Sequence, residues 1–258
     1  GLMAPVRPAK DRLGPILPAI AQQTGLDPRT PVFCGLHDSN ASLLPHLLSD
    51  VPPFSVVSTG TWVVSMAVGG RKAELGSARD TLVNVNALGD PVPSARFMGG
   101  REFSLLTEGQ PQEWSEDDIA AVLARQVLLL PFTQQGSGPF PHRGAQWVNA
   151  DDLTFGQRFA AISFYLALMT ATCLELIGGD GPTTVEGPFA RNPLFIRMLA
   201  AATGRPIVTS ETSTGTSIGA ALLASDGTTT MSKGEGAEPS AEPAWSEYAL
   251  AWQQAAKL

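Results

Sequence analysis

Cysteine, histidine and clustered positive charge are all scarce in this chain of 258 residues. Its two cysteines, Cys34 and Cys173, lie far apart with no second pair. That excludes a disulfide framework and a Cys-based zinc site. Both sit in apolar stretches and are expected to be small core residues of a protein in a reducing, cytoplasmic setting. The three histidines, His37, His46 and His142, show no metal-ligand spacing, so no metal site is expected. Lys and Arg number 17 against 24 acidic residues, for a formal net charge of −7, and the basic residues are scattered. Nucleic acid and acidic membrane surfaces need clustered positive charge and are excluded as partners. No apolar run reads as long enough to span a bilayer. The opening "GLMAPVRPAKDRLG" lacks the apolar core of a signal peptide and reads as a Pro-rich linker. Walker A spacing and a strand-following G-x-G-x-x-G are also missing, which removes the P-loop and Rossmann readings.

What is present is 43% hydrophobic and 16% charged, the balance of a globular chain. "RLGPILPAIAQQTGL" (12–26) predicts a short amphipathic helix stopping at Gly25, and "PVFCGL" (31–36) a buried strand. In "HDSNASLLPHLLSD", Asp38, Ser39 or Asn40 is placed to cap a helix. "PFSVVSTGTWVVSM" (53–66) is two strand-forming runs broken by Ser58-Thr59-Gly60-Thr61. "TLVNVNAL" predicts another strand, and "ARFMGGREFSLLTEG" passes from strand to helix across Gly99-Gly100. "SEDDIAAVLARQ" opens on a Ser cap and acidic residues suited to a helix N-terminus. The longest helix is expected in "LTFGQRFAAISFYLALMTATCLELIGG", with Phe155, Phe159, Ile162, Leu166, Met169, Cys173 and Leu176 on the core face and Gly178 as its stop. Strand "TTVE", a loop from Gly187 to Arg191, cap Asn192, Pro193, a helix to Gly204 and strand "RPIVTS" follow. The small-residue helix "TGTSIGAALLAS" suits close packing. Residues 226–258 read as a polar tail with a candidate terminal helix. The order predicts an α/β fold with a mixed sheet flanked by helices.

Three stretches carry chemistry. The Ser58–Thr61 turn is either a tight turn using Gly60 for its backbone freedom or a phosphate cradle of amides and hydroxyls. Asp38 follows a predicted strand end, where α/β sheets place ligands; its plainer reading is a helix cap. Gly215-Thr216-Ser217-Ile218-Gly219 matches the nucleophile-elbow spacing, but that fold places its His after the Ser and every His here precedes residue 143. Close helix packing is the reading retained.

Taken in order, "GLHDSNASL", "VVSTGTWVV" and "VEGPFARNPLFIRMLAAATGRPI…TSIGAALLA" resemble the C-terminal domain of the FGGY carbohydrate kinases. "LLLPFTQQGSGPFP" resembles that family's Leu-Pro-Phe/Tyr loop, and "FMGGREFSLL" is similar to its rhamnulokinase and fuculokinase branch. The likeness covers roughly residues 10–225. It implies an actin-like ATPase (ribonuclease H-like) fold and phosphorylation of a ketose or polyol hydroxyl by ATP with Mg2+. It makes residues 1–11 a linker from the family's N-terminal domain, residues 12–225 the nucleotide-side domain, and that other domain a partner holding most of the Mg2+ site. A second copy of the chain is a further candidate partner. By resemblance, Asp38 is the base for the sugar hydroxyl, Gly60 and Thr61 hold the terminal phosphates, and Gly99 gives a second phosphate contact. Gly187 and Asn192 fall in the adenosine loop. "SDGTTT" (225–230) resembles the phosphate loop of actin-like ATPases but enters a polar tail and reads as solvated loop.

Two departures stand out. The adenosine loop is commonly Gly-Gly-Gly or Gly-Gly-Ala; here it is Gly187-Pro188-Phe189, with one amide lost to proline and a bulky ring added. The N-terminal domain with its Asp-Gly-Thr loop has no match in these residues. The rivals are therefore a pseudokinase that binds a sugar or partner, and an actin-like ATPase without a sugar substrate.

Overall fold

The structure, a computed structural model, describes residues 5–108, 110–131, 137–141, 144, 146–210, 215–225 and 234–257. In chain order its elements are β1 (Arg12–Pro15), α1 (Pro18–Thr24), β2 (Pro31–Phe33), α2 (Asp38–Ser49), β3 (Phe54–Thr59), β4 (Val63–Val68), β5 (Thr81–Val85), β6 (Pro91–Phe97), α3 (Gly99–Thr107) and α4 (Glu116–Arg125). There follow β7 (Leu128–Leu130), β8 (Gln146–Val148), α5 (Phe155–Leu176), β9 (Thr183–Glu186), α6 (Pro193–Thr203), β10 (Ile207–Thr209), α7 (Gly215–Leu223) and α8 (Pro243–Lys257). One compact unit comprises the described residues within Gly1–Asp50, Val85–Pro91 and Thr214–Met231, the other those within Val51–Asn84, Val92–Ser213 and Ser232–Leu258.

In the first unit the expected helix over 12–26 is shorter. Pro18 holds Leu17 extended (φ −61°, ψ 137°), so the helix begins only at Pro18, and Arg12–Pro15 pairs antiparallel with β2. Gly25 ends α1 in the left-handed region, as the sequence indicates. Strand β2 is not buried: Val32 is 40% exposed, and Cys34 beyond it is exposed instead of filling a core. A two-stranded ribbon has one face left to solvent, which the short apolar run does not reveal. Helix α2 packs on α7. Pro45 has no N–H and leaves the Ala41 carbonyl without its helical donor. Gly219 of α7 backs onto that carbonyl, where any Cβ would collide with it. Ser42 and Thr216 hydroxyls meet at 3.1 Å across the same contact. Gly219 thus serves close packing, as expected of this small-residue helix.

The second unit is built on a six-stranded mixed sheet in the order β10-β9-β3-β4-β6-β5. Strands β10, β9 and β3 are parallel; β3, β4 and β6 are antiparallel. The β3–β4 hairpin pairs Phe54 with Val68 through Thr59 with Val63, leaving Gly60–Trp62 as the turn. Helix α5 fills the core beside the sheet. Its Phe159, Ile162, Leu166, Met169 and Cys173 are buried, but Phe155, its first residue, is 59% exposed. By length and composition α5 could cross a membrane, contrary to the expectation that no such run exists. In this fold 83% of its most apolar window is buried by the rest of the protein. That burial identifies it as a core helix.

Helices α4 and α5 share one carboxylate. Asp118 closes the capping box with Ser115 and also accepts the hydroxyl of Thr154, the cap of α5, at 2.8 Å. The terminal helix α8 is a core element. Trp245, Tyr248 and Trp252 are buried, with the Tyr248 hydroxyl on Val127 O at 2.6 Å and the Trp252 Nε1 on Leu129 O at 2.7 Å. The parts of the "TQQGSGPFPHRGAQW" loop at 133–136, 142–143 and 145, and 226–230 of "SDGTTT", lie outside the described residues.

Candidate active site

A cleft of about 740 Å³ opens in the second unit. Three parts of the chain form its walls: the hairpin turn, the start of α3, and the segment from Pro188 to Pro193. Trp114 and Gln112, from the stretch between α3 and α4, and Phe159 of α5 also line it.

The turn and α3 are locked together by glycine. At Gly100, a Cβ would collide with Gly60 O and lie 2.8 Å from Gly60 C; at Gly99 it would lie 2.6 Å from Val63 Cγ2. The Arg101 N–H points to Thr61 O at 3.4 Å. Met98 caps α3 without a side-chain bond, and the Gly99 and Gly100 amides, first donors of the helix, have no partner among the described residues. The Gly60 N–H is already given to Trp62 O at 2.9 Å, whereas the N–H and hydroxyl of Thr61 have no partner among the described residues. Donors without a partner among the described residues therefore sit at Thr61 and Gly100, both of which line the cleft. Arg101 and Arg191 add two guanidiniums on the cleft wall with no ion-pair partner among the described residues. This is an anion-binding geometry: backbone donors, a helix N-terminus and positive charge on one surface.

The positions singled out from sequence fall differently. Gly60 and Thr61 line the cleft; Gly99 is buried behind it, and its neighbour Gly100 forms the wall. Gly187 is behind the wall too. Its φ of 82° and the collision any Cβ would make with Thr59 O explain the glycine by backbone geometry. Asn192 lines the cleft, but its side chain is engaged: Oδ1 accepts from Leu194 and Phe195 N–H, and Nδ2 donates to Ser163 Oγ at 2.9 Å. It is the cap of α6. The Phe189 ring is packed on Phe103 (5.5 Å) and Phe195 (5.2 Å) and only 5% exposed, and its N–H is given to Thr59 Oγ1. Asp38 belongs to the first unit. It is the first residue of α2, with His37 as the cap, and its side chain is 71% exposed. Oδ1 lies 2.8 Å from His37 Nδ1 and accepts the Ser39 N–H at 2.7 Å; Oδ2 accepts nothing among the described residues.

Arg101, Ser104, Gln112, Trp114 and Arg191 were not singled out from sequence. Isolated Arg, Ser, Gln and Trp residues have no periodic signature, and only folding brings them to one cleft. No group of three or more His, Cys, Asp or Glu able to hold a metal occurs among the described residues, and the cleft lining has no carboxylate to offer Mg2+.

The mixed sheet with flanking helices is the actin-like ATPase fold. The family described as carbohydrate kinase FGGY, C-terminal domain, matches residues 51–233, and the chain belongs to that family. A carbohydrate kinase from Novosphingobium aromaticivorans is 37% identical with a TM-score of 0.81, covering 99% of this chain and 58% of its own. The xylulose kinase from Rhodospirillum rubrum shares the fold at 18% identity and TM-score 0.74, over 97% of this chain and 56% of its own. Plasmodium falciparum glycerol kinase, solved with ADP, shares it at 14% identity and TM-score 0.56, over 76% and 42%. The chain thus spans less than three-fifths of the length of these structures. No curated protein matches it. Asp38 lies outside the matched segment, which starts at residue 51.

Proposed function

We propose that this chain is the nucleotide-side part of an ATP-dependent kinase acting on a hydroxyl of a ketose or polyol. The observation that carries the reading is that the Thr61 and Gly100 donors line the same cleft as the Arg101 and Arg191 guanidiniums. ATP, when bound, supplies the phosphoryl group. Phosphoryl transfer asks for positioning and charge stabilisation, which backbone donors and guanidiniums provide without bulky side chains. In this reading Thr61 and Gly100 hold the terminal phosphates, and Gly60 keeps the turn clear of a side chain. Gly187 and Asn192 shape the adenosine side by fixing the β9–α6 connection. Asp38 serves as general base: its free Oδ2 accepts the sugar hydroxyl's proton while His37 and Ser39 hold Oδ1. The family's N-terminal domain is the proposed partner, carrying most of the sugar and Mg2+ sites. The 258 residues alone are expected to bind nucleotide weakly and not to turn over sugar.

A pseudokinase is the second reading, and one observation favours it. Pro188 has no N–H and the Phe189 N–H is committed to Thr59, so this loop offers fewer amides than the family's usual glycines. Calorimetric titration of Mg-ATP into the full-length gene product and its Asp38→Ala variant, with ADP release followed over a panel of ketoses and polyols, separates the two. A kinase binds ATP in both and loses about 10²–10⁴ in turnover without the carboxylate. Absence of ATP binding supports the pseudokinase. ATP turnover that no sugar stimulates supports an ATPase. Normal turnover by the 258 residues alone refutes the half-site reading.

A further inference from the structure

The second unit holds another cavity, about 640 Å³, that shares no lining residue with the cleft. Helix α5 reaches both. Phe159 lines the cleft and Ala171 begins the cavity wall, roughly 18 Å further along at 1.5 Å per residue.

Arg71, Arg79 and Arg205 border this cavity, with Glu175 and Asp180. Arg71 is already matched, its Nη2 lying 2.7 Å from Glu175 Oε2. Asp180 accepts the Gly181 N–H at 2.8 Å. Arg79 and Arg205 have no carboxylate within ion-pair distance among the described residues. Arg79 is held in place: Nε donates to Pro139 O at 3.1 Å, and the guanidinium lies 5.6 Å from the centre of the Phe140 ring. Its two terminal amino groups have no hydrogen-bond partner among the described residues. Arg205 is half-buried and makes one long bond, Nη1 to Gly181 O at 3.3 Å. Burial lowers its pKa, with Asp180 acting in the opposite direction. A guanidinium in that state has lost hydration, while the carboxylates that act on it lie beyond ion-pair distance.

A plainer account is that arginines gather here because helices α5 and α6 end here and their carbonyls attract cations. Backbone amides already take four of those carbonyls. Ile177, Gly178 and Gly179 donate to Cys173, Glu175 and Leu174, and Gly204 donates to Ala200. Arg79 and Arg205 are not used in that role.

We propose that this cavity binds a phosphomonoester of a small organic molecule, with its phosphate on Arg79 and Arg205 and its organic part against Phe140 and Trp252. Two guanidiniums present more donors than one carboxylate can accept, and a dianion with three terminal oxygens matches them better. The proposal stands independently of the kinase reading, since it uses none of the cleft.

The test is calorimetric titration of the 258-residue chain with glucose 6-phosphate, with citrate as the competing carboxylate. Saturable binding is expected. Arg79→Gln, at an exposed position, should weaken it by about tenfold or more. Gln253→Glu, which adds a negative charge to the α8 wall, should weaken it severalfold and needs no arginine to be removed. Arg101→Gln, in the other site, should leave the affinity unchanged. No saturable binding, citrate bound as tightly as the sugar phosphate, or loss on Arg101→Gln with retention in Arg79→Gln would overturn the proposal.

Discussion

Two glycines touch each other in the cleft, and their substitutions should have opposite signatures. At Gly60 the φ is not in the left-handed region, and a Cβ would meet nothing nearer than Trp62 O at 3.9 Å. Its N–H is spent inside the turn. Folding therefore gives no reason for glycine at 60, and Gly60→Ala should change stability by no more than about 0.5 kcal/mol. If phosphates approach this turn, the added methyl stands in their way and Mg-ATP affinity should fall at least about tenfold, the 1.4 kcal/mol of one weakened charged contact. Gly100→Ala is the converse. Alanine is the better helix former by about 1 kcal/mol. Its Cβ, however, would collide with Gly60 O and crowd Gly60 C at 2.8 Å and Thr61 Cα at 3.1 Å, all of them backbone. The turn would have to retreat by roughly 1.5 Å to restore ordinary contact. Overpacking of that kind costs about 1–3 kcal/mol, leaving a net loss of roughly 0–2 kcal/mol after the helix gain. For a chain of this size the Tm would fall by up to about 8 °C. ATP affinity should fall in this variant as well, because the donors of Thr61 and Gly100 separate. Scanning fluorimetry and Mg-ATP calorimetry on both variants and on Gly76→Ala, whose Cβ meets nothing within 4 Å, give the comparison. A Gly60→Ala protein that melts like the wild type and binds ATP like the wild type would refute the phosphate reading of the turn.

Asp118→Ala removes the cap partner of two helices and should lower stability by about 1–2 kcal/mol, seen as a lower urea midpoint. Burial alone would raise the Asp118 pKa, but the hydrogen bonds from Ser115 and Thr154 outweigh it and hold it below the ordinary carboxylate value. Its contribution is therefore present above the unfolded-state pKa and is lost as pH falls through the lower folded-state value. The gap between wild type and Asp118→Ala should narrow in acid, and a pH-independent gap would contradict this origin. Trp245→Ala removes an indole that is 1% exposed, 5.2 Å from Phe164 and covered by the Arg197 guanidinium at 4.6 Å. It should cost about 3–5 kcal/mol. A change under 1 kcal/mol in equilibrium denaturation would mean that α8 is not part of the cooperative core.

Much of the architecture was legible along the chain because its signals are local. The Ser115 cap, the Asn192-Pro193 start of α6, the glycine ends at Gly25 and Gly204, and the β3–β4 hairpin each arise from a few neighbouring residues. The misreadings share one cause. Strand β2 and Cys34 look apolar and were expected inside, but burial depends on what covers a segment, and β2 has only β1 beside it. Helix α5 passes the length and hydropathy test for a membrane span for the same reason in reverse: composition cannot say whether lipid or protein surrounds it. Residues 226–258 begin polar, which hid the buried face of α8. In the cleft, the Gly60-Thr61 turn was visible as a motif, while Arg101, Trp114 and Arg191 were not.

The sequence by itself determined the starts of α4 and α6, the glycine ends of α1 and α6, that a hairpin turns on Gly60, and which family the ordered motifs resemble. Caps, turns and glycines act over one or two turns of chain, so those features are written in adjacent residues. Only tertiary structure decided that Gly100 and not Gly99 faces the cleft, that Gly187 is glycine because Thr59 is behind it, and that two arginines in a second cavity have no ion-pair partner among the described residues. Those facts depend on distances between residues remote in sequence, which packing sets and local propensity does not.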